Sequence, residues 1–192
     1  MLTKRHQAFI SGTVRLTAMA TALLMLTILT VTRSEAAFTS STSNTANSFG
    51  TGTVVLTDDD TGTAMFTVSN MTPGSAVTRC ITVSYTGTLV PAPVKLYGAS
   101  TGSLDAYLNT TIEVGTGGSY ASCTGFSATS TLYSGTLANF SATYTGWADG
   151  ISAFTAAANP TTRTFRVTVD VQNTNAAQGL STTASFTFEA QA

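Results

Sequence analysis

The sequence predicts an all-β protein: a single antiparallel β-sandwich, jelly-roll-like, behind a cleaved signal peptide. Three observations predict it. Short apolar runs recur between clusters of Gly, Pro, Asn and Asp, the residue types that end strands and reverse a chain. The clearest runs alternate with a period of two, as half-buried strands do, and no helix-period pattern of any length follows residue 36. Charged residues make up only 9% of the chain, well below the roughly 25% of ordinary soluble domains, and Thr, Ser, Ala and Gly fill the difference. That balance suits an extracellular β-protein better than a cytosolic enzyme.

Lys4, Arg5 and Arg15 precede an apolar run at residues 16–31, and Ser34-Glu35-Ala36 then offers small residues where a signal peptidase reads. Residues 1–36 are therefore expected to be a signal peptide cut between Ala36 and Ala37. The competing reading is a retained anchor, since sixteen apolar residues approach the roughly 17–25 of a membrane span. The intervening threonines and the small-residue site favour cleavage. Beyond the cut, Arg79, Lys95, Arg163 and Arg166 face eight acids, a net charge of −4. Four scattered basic residues give no footprint for nucleic acid and no basic face for an anionic membrane. Contact with a membrane is expected only through the uncleaved leader during export.

Residues 37–50 form a polar, Ser/Thr/Asn-rich lead-in with Phe38 and Phe49 as its aromatic residues. It reads either as a flexible terminus or as an edge strand able to pair with this molecule or a neighbour. Residues 51–192 are expected to be the sandwich. Residues 54–56, 64–69 and 77–85 read as its first three strands, divided by Asp58-Asp59-Asp60-Thr61-Gly62 and Asn70-Met71-Thr72-Pro73-Gly74. Within the third, Ile81, Val83 and Tyr85 share one face and Cys80, Thr82 and Ser84 the other. Residues 94–97 read as a short strand that tolerates the prolines before it by lying at an edge. Residues 104–108 fit a helical turn or an extended segment, 110–114 a strand, and 115–119 a flexible loop. Residues 121–150 carry apolar bulk without clean periodicity, with a short helix near 136–140. Alternation returns at Phe165, Val167, Val169 and Val171, and closes at Ala184, Phe186 and Phe188.

The order N-S-F-x-x-G-T-V-x-L, then N-M-x-P-G-x-x-V-T-x-C-I-x-V-x-Y, resembles the TasA/camelysin family of secreted bacterial proteins. It is carried by Asn47, Phe49, Gly52, Thr53, Leu56, Asn70, Met71, Pro73, Gly74, Val77, Cys80, Ile81, Val83 and Tyr85. More weakly, residues 185–191 resemble that family's closing strand. The resemblance implies processing by a dedicated signal peptidase and fibres built by strand donation. Camelysin relatives have also been classified as metallopeptidases, an activity for which no residue here supplies the zinc motif.

Cys80 and Cys123 are the two cysteines of a chain read as exported, so a disulfide is expected, with two free thiols as the alternative. The bond would close a loop of about 44 residues, worth roughly 4 kcal/mol on a chain-entropy account. The only histidine, His6, lies in the leader, which excludes a Ser-His-Asp triad, a Cys-His pair and an H-E-x-x-H site from the rest of the chain. Lys95 is the one lysine beyond the leader and is expected at a solvated sheet edge. Asp58 and Asp60 before Gly62 resemble half of a calcium loop that lacks its later bidentate acid, so calcium is a weak candidate against three solvated acids. Asn70, Asn109 and Asn139 fit a glycosylation pattern that Thr-rich chains meet by chance. Trp147 with nearby tyrosines fits a sugar-stacking platform or, more simply, core.

The expectation is therefore a non-enzymatic, secreted structural protein of the cell surface or biofilm matrix. It would need no cofactor and would associate with itself or with other matrix components, assembling into fibres by donation of the lead-in carrying Phe38 and Phe49. The alternative is a monomeric module binding glycan or calcium at the surface, and the less favoured one a camelysin-like metallopeptidase.

Overall fold

The computed structural model of the protein describes Arg15, residues 17–22 and residues 50–192. Arg15 and residues 17–22 are helical and belong to a compact unit, Met1–Phe49, that is distinct from Gly50–Ala192. The expected cleavage site at Ala36 and Ala37, and the lead-in with Phe38 and Phe49, lie outside the described residues. Among the described residues no helix is long and apolar enough to cross a membrane.

The alternating runs become strands in two sheets. Along Gly50–Ala192 the strands are β1 (Leu56–Asp58), β2 (Ala76–Tyr85), β3 (Ala92–Gly102), β4 (Leu108–Thr116), β5 (Ser127–Thr136), β6 (Ile151–Ala156), β7 (Thr161–Val171) and β8 (Thr182–Ala190), with one short helix, α1 (Leu137–Thr143), between β5 and β6. One sheet has the order β1-β2-β7-β4-β5 and the other β6-β3-β8. Every pairing is antiparallel. From β2 to β4, and again from β5 to β8, the chain passes repeatedly between the sheets, so the all-β sandwich is the observed fold.

Period-two burial explains why the two sheets face each other. On β7, Phe165, Val167, Val169 and Val171 are buried, and on β4 so are Leu108, Thr110, Ile112 and Val114. Ile81 and Val83 extend the same layer from β2, and Leu96, Phe186 and Phe188 meet it from the smaller sheet. Phe165 is fully buried, its ring 4.5 Å from that of Phe188 and 6.2 Å from that of Phe154. Each such side chain removed from water contributes on the order of 1.5–3 kcal/mol. α1 plugs one end of the core. Thr136 caps it by accepting from Asn139 N–H at 3.2 Å, and Phe140 sits 5.2 Å from Tyr133 and 5.5 Å from Phe186.

The outer face of β2 and β7 is a ladder of hydroxyls. Thr78 meets Thr168 at 3.1 Å, Thr82 meets Thr164 at 3.3 Å, and Ser84 meets Thr162 at 3.0 Å, each pair directly opposite in register. Two residues in this outer layer, Cys80 and Thr164, are nevertheless buried. Something lies over them, as described below.

Three expectations need correction. Residues 64–69 are not a strand; they pair with no ladder, although Met65 and Phe66 pack on the core. β-Propensity supplied the pattern, but no neighbouring strand is there to receive it. Residues 92–102 form a long strand in the middle of its sheet rather than a short edge strand. Pro93 is tolerated because its ladder to β8 ends there: its carbonyl accepts from Gln191 N–H at 3.3 Å, and pairing resumes at Val94 opposite Ala190. Residues 121–150 contain a ten-residue strand, β5, which offers only Tyr133 as a buried residue and so shows no apolar alternation. β6 is likewise absent from the sequence reading. The turn before β2 behaves as read: Pro73 is followed by Gly74 at φ +78°, and Ser75 N–H donates to Thr72 O at 3.0 Å.

Two substitutions test this packing. Phe165→Ala should cost about 3–5 kcal/mol in urea denaturation, because the void opens between both sheets. Thr110 is fully buried with its hydroxyl unpartnered. Thr110→Val should therefore leave the stability unchanged or raise it, by about 1 kcal/mol at most in the same measurement, whereas an essential hydroxyl would show a loss.

Candidate functional site

Of the chemistry-bearing residues singled out in the sequence, Cys80 and Cys123 meet on the outer face of β2. The loop of residues 117–126, between β4 and β5, turns through Gly117 and Gly118, both at φ close to +78°, and folds back over the five-stranded sheet. Phe126 lies over β7 with its ring 4.7 Å from the Arg166 guanidinium. Arg166 is in turn held by Glu113 on β4, at 2.7 Å from Nε and 2.6 Å from Nη2. Cys123 reaches β2 and is bonded to Cys80, with the two Cα atoms 5.2 Å apart across a sequence separation of 43. This strap is what buries Cys80 and Thr164.

At its far side the strap meets the acidic loop. Asp59 accepts from Thr82 N–H at 2.8 Å through Oδ1 and from Tyr120 N–H at 2.7 Å through Oδ2, tying the loop, β2 and the strap together. The Tyr120 hydroxyl donates to the carbonyls of Thr63 and Ala64 at 3.0 and 2.9 Å. Asp58 and Asp60, the calcium candidates, serve the turn itself: Asp58 Oδ1 accepts from Asp60 N–H at 3.3 Å and Asp60 Oδ1 from Gly62 N–H at 2.6 Å. Burial pushes the Asp58 carboxyl above its ordinary value, and the Asp60 carboxyl beside it pushes the same way. Among the described residues no group of three or more His, Cys, Asp or Glu is arranged to hold a metal ion.

The remaining acids are equally committed. Asp105 accepts from Ser100 Oγ at 2.6 Å, Asp170 from Asn109 Nδ2 at 2.9 Å, and Glu189 from Tyr97 Oη and Gln191 Nε2, both at 2.7 Å. Asp149 closes a turn by accepting from Thr145 N–H at 2.9 Å, Thr145 Oγ1 at 2.7 Å and Gly146 N–H at 2.8 Å. Those donors, the Thr145 hydroxyl first, hold its carboxyl below the ordinary 3.8. The Gln191 amide and the Tyr97 hydroxyl do the same for Glu189. Lys95 is not the solvated edge residue the sequence suggested. It stands on the central strand β3, donates from Nζ to Trp147 O at 2.8 Å and lies 5.1 Å over the Trp147 ring, so both are half-buried partners.

A groove of about 480 Å³ opens beside β8, the end strand of the smaller sheet. Its walls are mainly apolar: Met65, Phe66 and Met71 on one side, Ile81 and Val169 below, Phe186 and Phe188 on β8.

The family described as camelysin metallo-endopeptidase matches residues 13–115, more than half of the 192-residue chain. The chain belongs to the camelysin family. No curated protein matches it. The camelysin match covers β1 to β3, nearly all of β4 and the whole acidic loop, and it includes Cys80 but not Cys123. Zinc in peptidases is held by His, Cys or carboxylate groups. In this camelysin-family chain the sole histidine is His6, both cysteines are bonded to each other, and every carboxylate from Asp58 to Glu189 already accepts a hydrogen bond within the fold. Among the described residues, the donor set does not fit a peptidase zinc centre.

Sequence reasoning missed Asp59, which does more than either neighbour. Three consecutive acids look alike in a sequence; only the position opposite Thr82 decides which one bridges. Asp59→Ala should lower the thermal midpoint by several degrees, while Asp58→Ala leaves it nearly unchanged, measured by circular dichroism. Asp149 sets a pH test. Its folded value is depressed, so its stabilisation is present above pH 3.8 and is lost as the pH falls through the folded value. The gap in Tm between the wild type and Asp149→Ala should be fully open at about pH 6 and should narrow as the pH is lowered below 3.8.

Proposed function

We propose that this camelysin-family chain is an exported structural subunit of the cell surface or extracellular matrix, acting without catalysis or cofactor and associating with copies of itself. The observation that carries the reading is the commitment of the acids, cysteines and lysine of residues 50–192 to holding the sandwich together. A fold whose reactive groups are all structural partners leaves its surfaces and strand edges as the means of action. The groove beside β8 supports assembly by strand donation, because it sets an apolar trough against the end strand of a sheet. Residues 37–49, with Phe38 and Phe49, are the donor in this reading, and the export signal is residues 1–36.

The family's name points to a metallo-endopeptidase, and the donor set argues against that activity here. The alternative of a monomeric surface-binding module draws on Trp147, with Tyr97 and Glu189, for a glycan, or on Asp58 and Asp60 for calcium.

The test is electron microscopy and sedimentation of the protein beginning at Ala37 beside a version lacking residues 37–49. Fibres or large oligomers from the first and monomers from the second are expected. Two folded monomers would overturn strand donation, and chelator-sensitive cleavage of casein would overturn the non-catalytic reading.

A further inference from the structure

Sheets end in strands whose backbone groups have no neighbour, and such an edge invites any extended chain to pair with it. β2 is covered on one side by β7 along its whole length, but β1 covers the other side only at Val83, Ser84 and Tyr85. Seven residues, 76–82, therefore have no strand on that side. Backbone direction alternates along a strand, so Thr78, Cys80 and Thr82 turn their N–H and C=O groups toward the open side, in line with Thr86, whose N–H donates to Val55 O.

All three of those carbonyls are taken, and none by a strand. The Thr82 carbonyl accepts from Asp59 N–H at 3.2 Å, the Cys80 carbonyl from Ala121 N–H at 2.9 Å, and the Thr78 carbonyl from the Arg79 guanidinium at 2.9 Å. Thr82 N–H is taken as well, by the Asp59 carboxylate. That carboxylate also holds Tyr120 N–H, so the acidic loop and the strap block the edge as one unit. Ala121 contributes its N–H from a left-handed conformation, φ +60°, which a non-glycine residue adopts only where its surroundings enforce it.

We propose that residues 117–126, together with Asp59, are an edge guard locked by the Cys80–Cys123 disulfide, which keeps extended chains, a second copy of this protein above all, from pairing along β2. Single hydrogen bonds at Ala121 and Tyr120 break and reform freely in water. The covalent link two residues beyond Ala121 returns the strap to the same place each time. The buried Cys80 sulfur lies on the outer face of the very strand whose edge is blocked, so the lock and the blocked groups share one residue. The guard does not depend on fibre formation. It applies to the isolated molecule and, if the protein assembles, it directs pairing to another edge.

The experiment compares the wild type with the Cys80→Ser/Cys123→Ser variant, using amide hydrogen exchange at Tyr120, Ala121 and Thr82 and sedimentation over a concentration series. In the variant, folded by circular dichroism, exchange at these three amides should rise about tenfold or more. Larger species should appear at concentrations where the wild type shows none beyond its own assembly. Adding Thr78→Pro removes an N–H on the open side and spares the backbone ladder to β7, losing there only the Thr78–Thr168 hydroxyl contact, and should return the sedimentation to that of the wild type. A folded variant with unchanged exchange and size overturns the proposal, as does association that survives Thr78→Pro. Should the double variant fail to fold, Asp59→Ala in the disulfide-bonded protein serves instead: faster exchange at Thr82 and Tyr120 with new association is expected, and unchanged behaviour overturns it. Because the exchange is read at one edge, loss of fibres through residues 37–49 neither produces nor hides the result.

Discussion

The sandwich depends on one strand that must satisfy three neighbours at once. β7 pairs with β2 over ten residues and with β4 over eight, while Phe165 reaches across to Phe188 and Phe154 in the opposite sheet. That position dictates its sequence. The face turned inward has to be large and apolar, and the face turned outward has to carry groups that neither repel across the ladder nor demand burial. Thr162, Thr164 and Thr168 meet the second requirement by bonding to hydroxyls on β2. Arg166 and Asp170 are the exceptions: the Arg166 charge is matched by Glu113 and its plane by Phe126, and Asp170 accepts from Asn109. The strap thus finds one anchor point on a residue that β7 cannot bury, and the other at Cys80 on β2.

Three of the four strands flanked on both sides were legible in the sequence for this reason. β2, β4 and β7 have one wet and one dry face, and their composition alternates accordingly; β8 does so through Phe186 and Phe188. β5 was not legible because an edge strand with a single buried residue has no reason to alternate, and its Ser, Ala and Thr residues resemble a loop. Residues 64–69 show the opposite error: Met65, Phe66 and Val68 favour a strand locally, but strand formation requires a partner, and none is in register. The cysteine pair was readable from count and compartment alone. The bridging role of Asp59 was not, since it arises from contacts 23 and 61 residues away.

Camelysin membership rests on the first part of the molecule. The family match ends at residue 115, at the close of β4, whereas the strap, Cys123, the helix and the last four strands follow it. The loop that crosses the outer face thus lies beyond the matched residues, and its covalent bond reaches back to Cys80 within them.

The hydroxyl ladder between β2 and β7 has a consequence for where such a protein can work. Its bonds join neutral groups, and only one ion pair, Arg166 with Glu113, stands among the described residues. Dissolved salt weakens attraction between charges and leaves neutral hydrogen bonds nearly untouched. A molecule whose strands cohere in this way is less sensitive to the salt content of its surroundings than one held by a charge-laced surface.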